Sequence, residues 1–561
     1  MKTSKLLFTL LCIFLLSVFT GCNTPPVAAP TPTEAPTETP TEAPTATPTP
    51  TKKPLTINHR LTGLDAFELT KLMTVGWNFG NVLDSHGTGI TYDSTPAKAA
   101  KYWGNEEPTK ELFTAIKNAG FNTVRIPITW YQHIQYDEAA QKYVINPDWL
   151  AYVKKTVDYA NSQKMFVIIN VHHEDWVNVS KFTDETYEKA AAITRDIWSQ
   201  LAETFKYYDQ HLIFEGFNEP RQTGLGSSVE WGTGDAISRR YINNLLQVFV
   251  DTVRSHEAAT NKERLLLLTG YCASSDKASF NAIEIPENIG NYALSVHAYL
   301  PYYFCMDTSD KANHTFPGKS GYGEDYQQAI NNFFSALNTW KLYKKAPIII
   351  TECGASDFNN TEDRVAWATY FFEKAKTAGI TCVLWDNQNT YDGTGEAYGL
   401  ICRSTQTWFP NSLPMVQAIM DVYGITAELP TYREPEPEVF DWSSLKIEED
   451  WVEIYRSENG LEIDTWGNLA LENWKPYLNE NYDFIMVYTS ADEPYMVLQG
   501  GWHKVFASVS SGSKYIVRFT FKDVMTTVNK ENVVLEDIYN YYASASSKPM
   551  TLYGVYAVPA E

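Results

Sequence analysis

Eight short apolar runs, separated mostly by helical stretches, constrain this chain more than any other feature. Between Leu61 and about Gly424 the strand candidates are Thr74–Trp77, Thr123–Ile126, Met165–Asn170, His211–Phe217, Arg264–Thr269, Tyr292–His297, Ala346–Thr351 and Thr381–Trp385. Runs such as His211–Phe217 and Ala346–Thr351 have the length and the β-branched or aromatic content of parallel strands buried on both faces. Between them lie helical patterns at 108–119, 149–163, 186–207 and 361–378, the last stopping at Gly379 as a helix end requires. Eight strands with mostly helical links predict an α/β fold, a (β/α)8 TIM barrel with insertions. An open doubly wound sheet is the rival, but no Gly-x-Gly-x-x-Gly follows the first strand.

A barrel gathers the ends of its strands at one mouth. Arg125 closes the second strand, His172 and His173 the third, Asn218 and Glu219 the fourth, His297 and Tyr299 the sixth, Glu352 the seventh and Trp385 the eighth. Taken singly, Arg125 could be a structural ion pair, His297 a core histidine and Trp385 a packing residue. Packing, however, needs no such concentration of polar groups at strand ends. A carboxyl group buried there is costly in its charged form, so two of them, Glu219 and Glu352, suggest an acid/base pair. No metal is expected: adjacent histidines on a strand point to opposite sides, and His172-His173-Glu174 lacks the helical i, i+4 spacing of zinc peptidases.

Length and charge bound the rest. At 561 residues and 44% hydrophobic content the chain is too long for one ordinary domain. Its formal charge of -22 would repel phosphate backbones, so nucleic acid is not an expected partner. Met1-Lys-Thr-Ser-Lys5, the apolar stretch 6–19 and Thr20-Gly-Cys22 form an export signal too short for an ordinary bilayer span. It resembles the bacterial lipoprotein signal, in which Cys22 is acylated, with Phe19 where Leu is preferred. Cell-surface anchoring through Cys22 is therefore expected, with ordinary cleavage and secretion as the alternative. Residues 23–54, rich in Pro, Thr, Ala and Glu, have nothing to bury and read as an extended spacer. The cysteines at 272, 305, 353, 382 and 402 read mostly as buried thiols, with a Cys382–Cys402 disulfide left open.

Segments across the barrel resemble glycoside hydrolase family 5, the retaining cellulase-type barrels of clan A. They are Gly76-Trp-Asn-Phe-Gly-Asn81, Tyr102-Trp-Gly-Asn105, Val124-Arg-Ile-Pro-Ile-Thr-Trp130, Asn170-Val-His-His-Glu174, Phe217-Asn-Glu-Pro220, Ser295-Val-His-Ala-Tyr299, Thr351-Glu-Cys-Gly354 and Leu384-Trp-Asp-Asn387. Any one is weak, but eight in family order are specific, and they look most like the bacterial endoglucanase, lichenase and xyloglucanase subfamily. Phe79 and Gln388 depart from the commoner Leu and Gly.

The resemblance implies Glu219 as proton donor and general acid/base, and Glu352 as nucleophile. It implies that Arg125 and Tyr299 hold Glu352 ionised while Glu219, lacking such a partner, keeps its proton. His172, His173 and His297 would orient sugar and carboxylates, and Asn218 would hydrogen-bond the 2-hydroxyl. Aromatic side chains suit the apolar faces of sugar rings. Trp385 is the expected floor of the −1 subsite, with Trp77, Trp130, Trp176 and Trp231 as candidates for flanking subsites; for Trp77 a core position is equally compatible. The implied activity is a retaining endo-β-1,4-glucanase without cofactor, acting as a monomer on cellulose, mixed-linkage β-glucan or xyloglucan. Alternatives are a xyloglucanase or endo-β-mannanase on the same barrel, or a non-catalytic surface glycan-binding lipoprotein.

The expected domains are a signal at 1–22, a spacer at 23–54, the catalytic barrel at 55–426, a Pro/Glu linker at 427–439 and a smaller all-β sandwich at 440–561. Short alternating runs such as Phe484–Tyr488 and Tyr515–Phe521 carry the last assignment. That segment holds Trp442, Trp451, Trp466, Trp474 and Trp502, which suggests a carbohydrate-binding module; a structural sandwich with its tryptophans inside is the alternative.

Overall fold

The computed structural model describes residues 60–391, 395–435, 440–490, 494–499, 501–507, 515–546 and 549–560. The signal, Cys22, the 23–54 spacer and residues 436–439 of the linker lie outside the described residues. The barrel strands are β1 (Val75–Asn78), β2 (Thr123–Ile126), β3 (Phe166–Asn170), β4 (Leu212–Glu215), β5 (Leu266–Thr269), β6 (Tyr292–Ala298), β7 (Ile348–Cys353) and β8 (Thr381–Leu384). Each lies beside the next in sequence, and β8 closes on β1 in parallel. All eight coincide with the apolar runs.

Side chains alternate along a strand, so each strand feeds two cores. Ile168, Ile213, Leu267, Ile349 and Val383 cluster with Leu69 and Met73, which places the helix Ala66–Leu72 as a plug under the barrel interior. The alternate residues Val167, Phe214, Leu268 and Ile350 join the larger core shared with the outer helices. The same parity assigns Asn78, Arg125, Asn170, Glu215 and Ser295 to the interior above the apolar layer. It also sends Trp77 outward.

Unbroken parity would turn Glu352 outward as well, because Ile349 and Thr351 face in. A β-bulge prevents this. Val296 on β6 faces Ile350, yet the next residue, His297, faces Glu352. Against β8 the partners run from Cys382 with Ile350 to Leu384 with Cys353, so β7 again carries one extra residue. The extra residue lets Thr351 and Glu352 both reach the interior: the Thr351 hydroxyl lies 2.6 Å from the Ser295 hydroxyl, and Glu352 meets Arg125.

The C-terminal region forms its own core. Its strands are β9 (Val452–Ile463), β10 (Asn468–Ala470), β11 (Tyr482–Ser490), β12 (Tyr495–Gln499), β13 (His503–Val505), β14 (Ile516–Phe519), β15 (Asn540–Ser544) and β16 (Met550–Pro559). They make two antiparallel sheets, β9-β16-β11-β14 and β10-β15-β12-β13, which share Phe484, Met486, Met496, Leu498, Tyr541 and Leu552 in one core. The sandwich is not purely β: the helix Phe521–Glu531 packs Val524 and Val528 into that core, capped by a reciprocal pair between Thr520 and Asp523. All five cysteines of the folded part are free and buried, so no Cys382–Cys402 disulfide forms.

Gln388, where the family commonly has Gly, sits at φ 65 with its side-chain Oε1 buried and without a partner among the described residues. A left-handed backbone at a residue with a Cβ costs about 1–2 kcal/mol. Gln388→Gly is expected to raise the unfolding free energy by about 1 kcal/mol, measured by urea denaturation; a loss of stability would contradict this account.

Candidate active site

Arg125 is fully buried on β2 and spends its guanidinium on four neighbours. Its Nε donates to Glu215 Oε2 at 2.7 Å, Nη1 to Asn78 Oδ1 at 3.0 Å and Glu352 Oε1 at 2.7 Å, and Nη2 to Asn218 Oδ1 at 2.7 Å. Burial by itself would disfavour the cation, but the charges of Glu215 and Glu352 outweigh it and raise the arginine's pKa. The Tyr299 hydroxyl donates to the other Glu352 oxygen at 3.0 Å. Burial, with Glu352 beside it, pushes that phenol's pKa well above the ordinary range, so it remains a donor. Because Arg125 claims Asn218 Oδ1, the Asn218 amide presents its Nδ2–H₂ away from the arginine.

Glu219 does not stand alone, contrary to the expectation that it lacks a partner. His297 Nδ1 lies 2.7 Å from Glu219 Oε1 and 3.5 Å from Glu352 Oε2, and Arg221 Nη1 is 3.6 Å from Glu219 Oε2. Burial would raise the Glu219 pKa, but the hydrogen bond and charge of His297, with the charge of Arg221, lower it. His297 moves the opposite way: burial opposes its charge, but Glu352 and Glu219 raise its pKa. Both shifts favour a charged pair in which the proton expected on Glu219 is carried by His297. Its Nε2 is buried without a partner among the described residues.

The two adjacent histidines are also not opposed. β3 ends at Asn170, so His172 and His173 lie in the loop beyond it, with ring centroids 4.4 Å apart. Ile128 N–H donates to Asn170 Oδ1, so the Asn170 amide donates to His172 Nδ1 and leaves the proton on His172 Nε2. Burial lowers both pKa values, His173 to about 3. The His172 ring lies parallel to Trp385, 4° off plane at 6.1 Å. Trp385 packs on Gly80, where any Cβ would come within 2.7 Å of the indole.

Of the flanking aromatics, Trp231 alone is exposed, at 52%, with the Arg221 guanidinium 4.1 Å from its ring centre. Trp77, Trp130 and Trp176 are buried and present no face to a cleft, a correction to their candidacy. Trp77 faces the helices and donates to Asp386, Trp130 donates to the Asn170 carbonyl, and Trp176 donates to Glu174. Four site residues escaped the sequence reading: Glu215, Asn170, Arg221 and Trp103. Glu215 had a signal, a lone acid inside the apolar run Leu212-Ile-Phe-Glu215. Trp103, which with His86 and His173 forms an edge-packed ring cluster, had none beyond its motif.

Among the described residues, two groups bring metal-ligand atoms within 4.8 Å of one another, Asp84/His172/His173 and Glu219/His297/Glu352. In each the carboxylates already have donors. Asn81 and Val82 N–H serve Asp84, Arg125 and Tyr299 serve Glu352, and His297 serves Glu219.

Two carboxylates with oxygens within 4.8 Å, at the carboxyl-end mouth of a closed (β/α)8 barrel, form the arrangement of a barrel glycoside hydrolase. Residues 83–391 match the profile described as Cellulase (glycosyl hydrolase family 5). The chain belongs to glycosyl hydrolase family 5. It is 39% identical over 378 residues to Endoglucanase A of Ruminococcus albus, covering 64% of this chain and 97% of that protein. To Endoglucanase A of Clostridium longisporum it is 37% identical over 348 residues, covering 61% of this chain and 63% of that protein, so the match spans just under two thirds of that relative's length. Among solved structures, a GH5-4 broad specificity endoglucanase from Ruminococcus flavefaciens superposes with TM-score 0.59 and 39% identity, covering 65% of this chain and 100% of that one. A xyloglucan-specific endo-β-1,4-glucanase from a metagenomic library gives 0.57 and 34%, covering 64% and 98%.

The His297–Glu219 pair couples stability to pH. His297, raised above 6.5, stabilises fully below that value and loses its contribution as pH rises through its folded pKa; Glu219, lowered below 4.5, stabilises above that value and loses its contribution on acidification. Thermal melts of wild type and His297→Gln across this range are expected to show the wild-type advantage shrinking on both the acid and alkaline sides. A difference independent of pH would contradict the pairing.

Proposed function

We propose that the chain is an exported, retaining endo-β-1,4-glucanase that cleaves internal bonds of plant cell-wall β-glucans by double displacement. The observation that carries this reading is the short separation of Glu219 and Glu352, one oxygen of each within 4.8 Å, which favours retention over the wider spacing of an inverting pair. Glu352, bonded to Arg125 and aimed by the Tyr299 hydroxyl, attacks the anomeric carbon. The bond to the leaving oxygen breaks as that oxygen takes a proton from Glu219.

Glu219 obtains that proton from His297. Sugar entering the cleft displaces water, and desolvation favours the neutral carboxylic acid over the carboxylate. The proton crosses the 2.7 Å hydrogen bond from His297 Nδ1 to Glu219 Oε1. Once the glycosyl-enzyme forms, Glu219 as carboxylate removes a proton from water, which attacks the anomeric carbon and releases Glu352. The free Asn218 Nδ2–H₂ reaches the 2-hydroxyl, and Trp385 supplies the floor under the reacting sugar. His172 Nε2–H and His297 Nε2–H are further donors for its hydroxyls.

The endoglucanase relatives support β-1,4-glucan as substrate, and the xyloglucan-specific one supports xyloglucan as the second. The export signal supports a surface location through Cys22, with the 23–54 spacer holding the enzyme off the membrane toward insoluble polymer. The intact carboxylate pair weighs against a non-catalytic glycan-binding lipoprotein.

Glu352→Gln is expected to lower kcat on β-glucan on the order of 10⁴-fold or more while sparing binding; substantial turnover would refute its role. The first product should keep the β-configuration by NMR, and an α-product would overturn the double displacement. Dialysis against EDTA should leave activity in place, and its full loss would mean that one of the two ligand-type clusters holds a required cation.

A further inference from the structure

The sheet β10-β15-β12-β13 turns one face to the sandwich core through Tyr541, Ala543, Met496, Leu498 and Val505. Its other face has no core cluster over it among the described residues. Tyr542, Val497 and Lys504 lie in one row across three strands, with Asn540 opposite Gln499 on one side and Ser544 opposite both Tyr495 and Asn468 on the other. Two tryptophans frame this face, Trp466 at 56% and Trp502 at 54% exposure.

Both tryptophans stand on left-handed backbone, Trp466 at φ 61 and Trp502 at φ 60. For a bulky residue this is an outlier costing about 1–2 kcal/mol, and an exposed indole gives up the burial that would offset the cost. Glycine or asparagine would serve either turn better. The side chains are nonetheless held in place. Trp502 stacks on Tyr542 at 5.3 Å and 23°, and the Lys504 ammonium lies 4.9 Å from the Trp466 ring and 4.6 Å from that of Tyr495.

Polar groups beside these rings are set in fixed orientations. Asn540 Nδ2 donates to Gln499 Oε1 and to the Tyr542 hydroxyl, each at 3.0 Å, and that hydroxyl donates to the same Gln499 oxygen. Among the described residues the Gln499 amide nitrogen has no acceptor and can donate elsewhere. The rows under Tyr542 and Lys504 are about 10 Å apart across two strand spacings, the scale of a disaccharide.

We propose that this face is a second polysaccharide-binding site, separate from the barrel mouth, that takes an extended β-linked glucan chain on Trp466 and Trp502. Rigid rings give large contact to the apolar faces of pyranose units at low entropic cost, and the amides and the lysine serve the hydroxyl rim. A neutral polymer suits a chain of formal charge -22, which disfavours anionic ligands. The choice of glucan rests on the hydrolase reading above; the site itself rests on the sheet.

The test uses the full chain carrying Glu352→Gln, so that the polymer survives, with depletion onto microcrystalline cellulose and affinity electrophoresis in mixed-linkage β-glucan and xyloglucan gels. Adding Trp466→Ala and Trp502→Ala is expected to weaken retention at least about 10-fold, with Trp502→Phe keeping part of it. Because both indoles are exposed, the urea midpoint should not fall, and hydrolysis of a soluble oligosaccharide in the Glu352 background reports on an intact barrel. Retention insensitive to both substitutions overturns the proposal, as does tryptophan-dependent retention on a protein-coated resin but not on any glucan. A chain that fails to hydrolyse glucans yet is held on them through Trp466 and Trp502 would sink the proposed function and leave this site standing.

Discussion

The buried guanidinium of Arg125 is the interaction on which the rest of the site depends. From β2 it reaches Asn78 on β1, Glu215 on β4, Asn218 beyond β4 and Glu352 on β7. Two carboxylates drawn into a barrel interior would each be costly if unpaired, and removing one partner of such a set leaves an uncompensated charge worth about 3–5 kcal/mol. One cation shared between Glu215 and Glu352 settles both. Glu215 is further held by Asn170 and Ser295, so it anchors the arginine while Glu352 stays available to a substrate. The site is a charge network first and a pair of reactive acids second.

That network needs Glu352 inside, and strand alternation alone would not put it there. The bulge in β7 admits Thr351 and Glu352 to the interior together. The same alternation sends Trp77 to the helical layer, where its indole serves Asp386 instead of a sugar. Alternation thus packs Trp77 outside, while one added residue in β7 brings Glu352 in to meet Arg125.

These two cases show what a linear reading can and cannot reach. The eight strands were legible because apolar runs and helix stops are local, as Gly379 illustrates with its left-handed cap. That Arg125, Tyr299 and Glu352 share one mouth was legible from strand ends, but the inward turn of Glu352 needed the bulge in β7. The partner of Glu219 was not legible, since His297 lies 78 positions away and its hydrogen bond depends on loop geometry beyond β4. Likewise the paired orientation of His172 and His173 arises because both stand past the end of β3 at Asn170, in a loop where strand alternation no longer sets their directions. In the sandwich the helix after Thr520 did have a local signal, the Thr-x-x-Asp cap followed by Val524 and Val528, but the surrounding alternation masked it.

The acid half of the site gains its character from that nonlocal contact. A carboxyl group in a merely apolar pocket would hold its own proton at all times, and would be slow to act as a base in the second half of a double displacement. With His297 between the two carboxylates, the proton has a second seat 2.7 Å from Glu219. Burial opposes the imidazolium, and the charge of Glu352 is the largest influence favouring it, with the hydrogen bond and charge of Glu219 next. The charge of Glu352 thereby bears on Glu219 through His297, which bonds to Glu219 and lies 3.5 Å from Glu352.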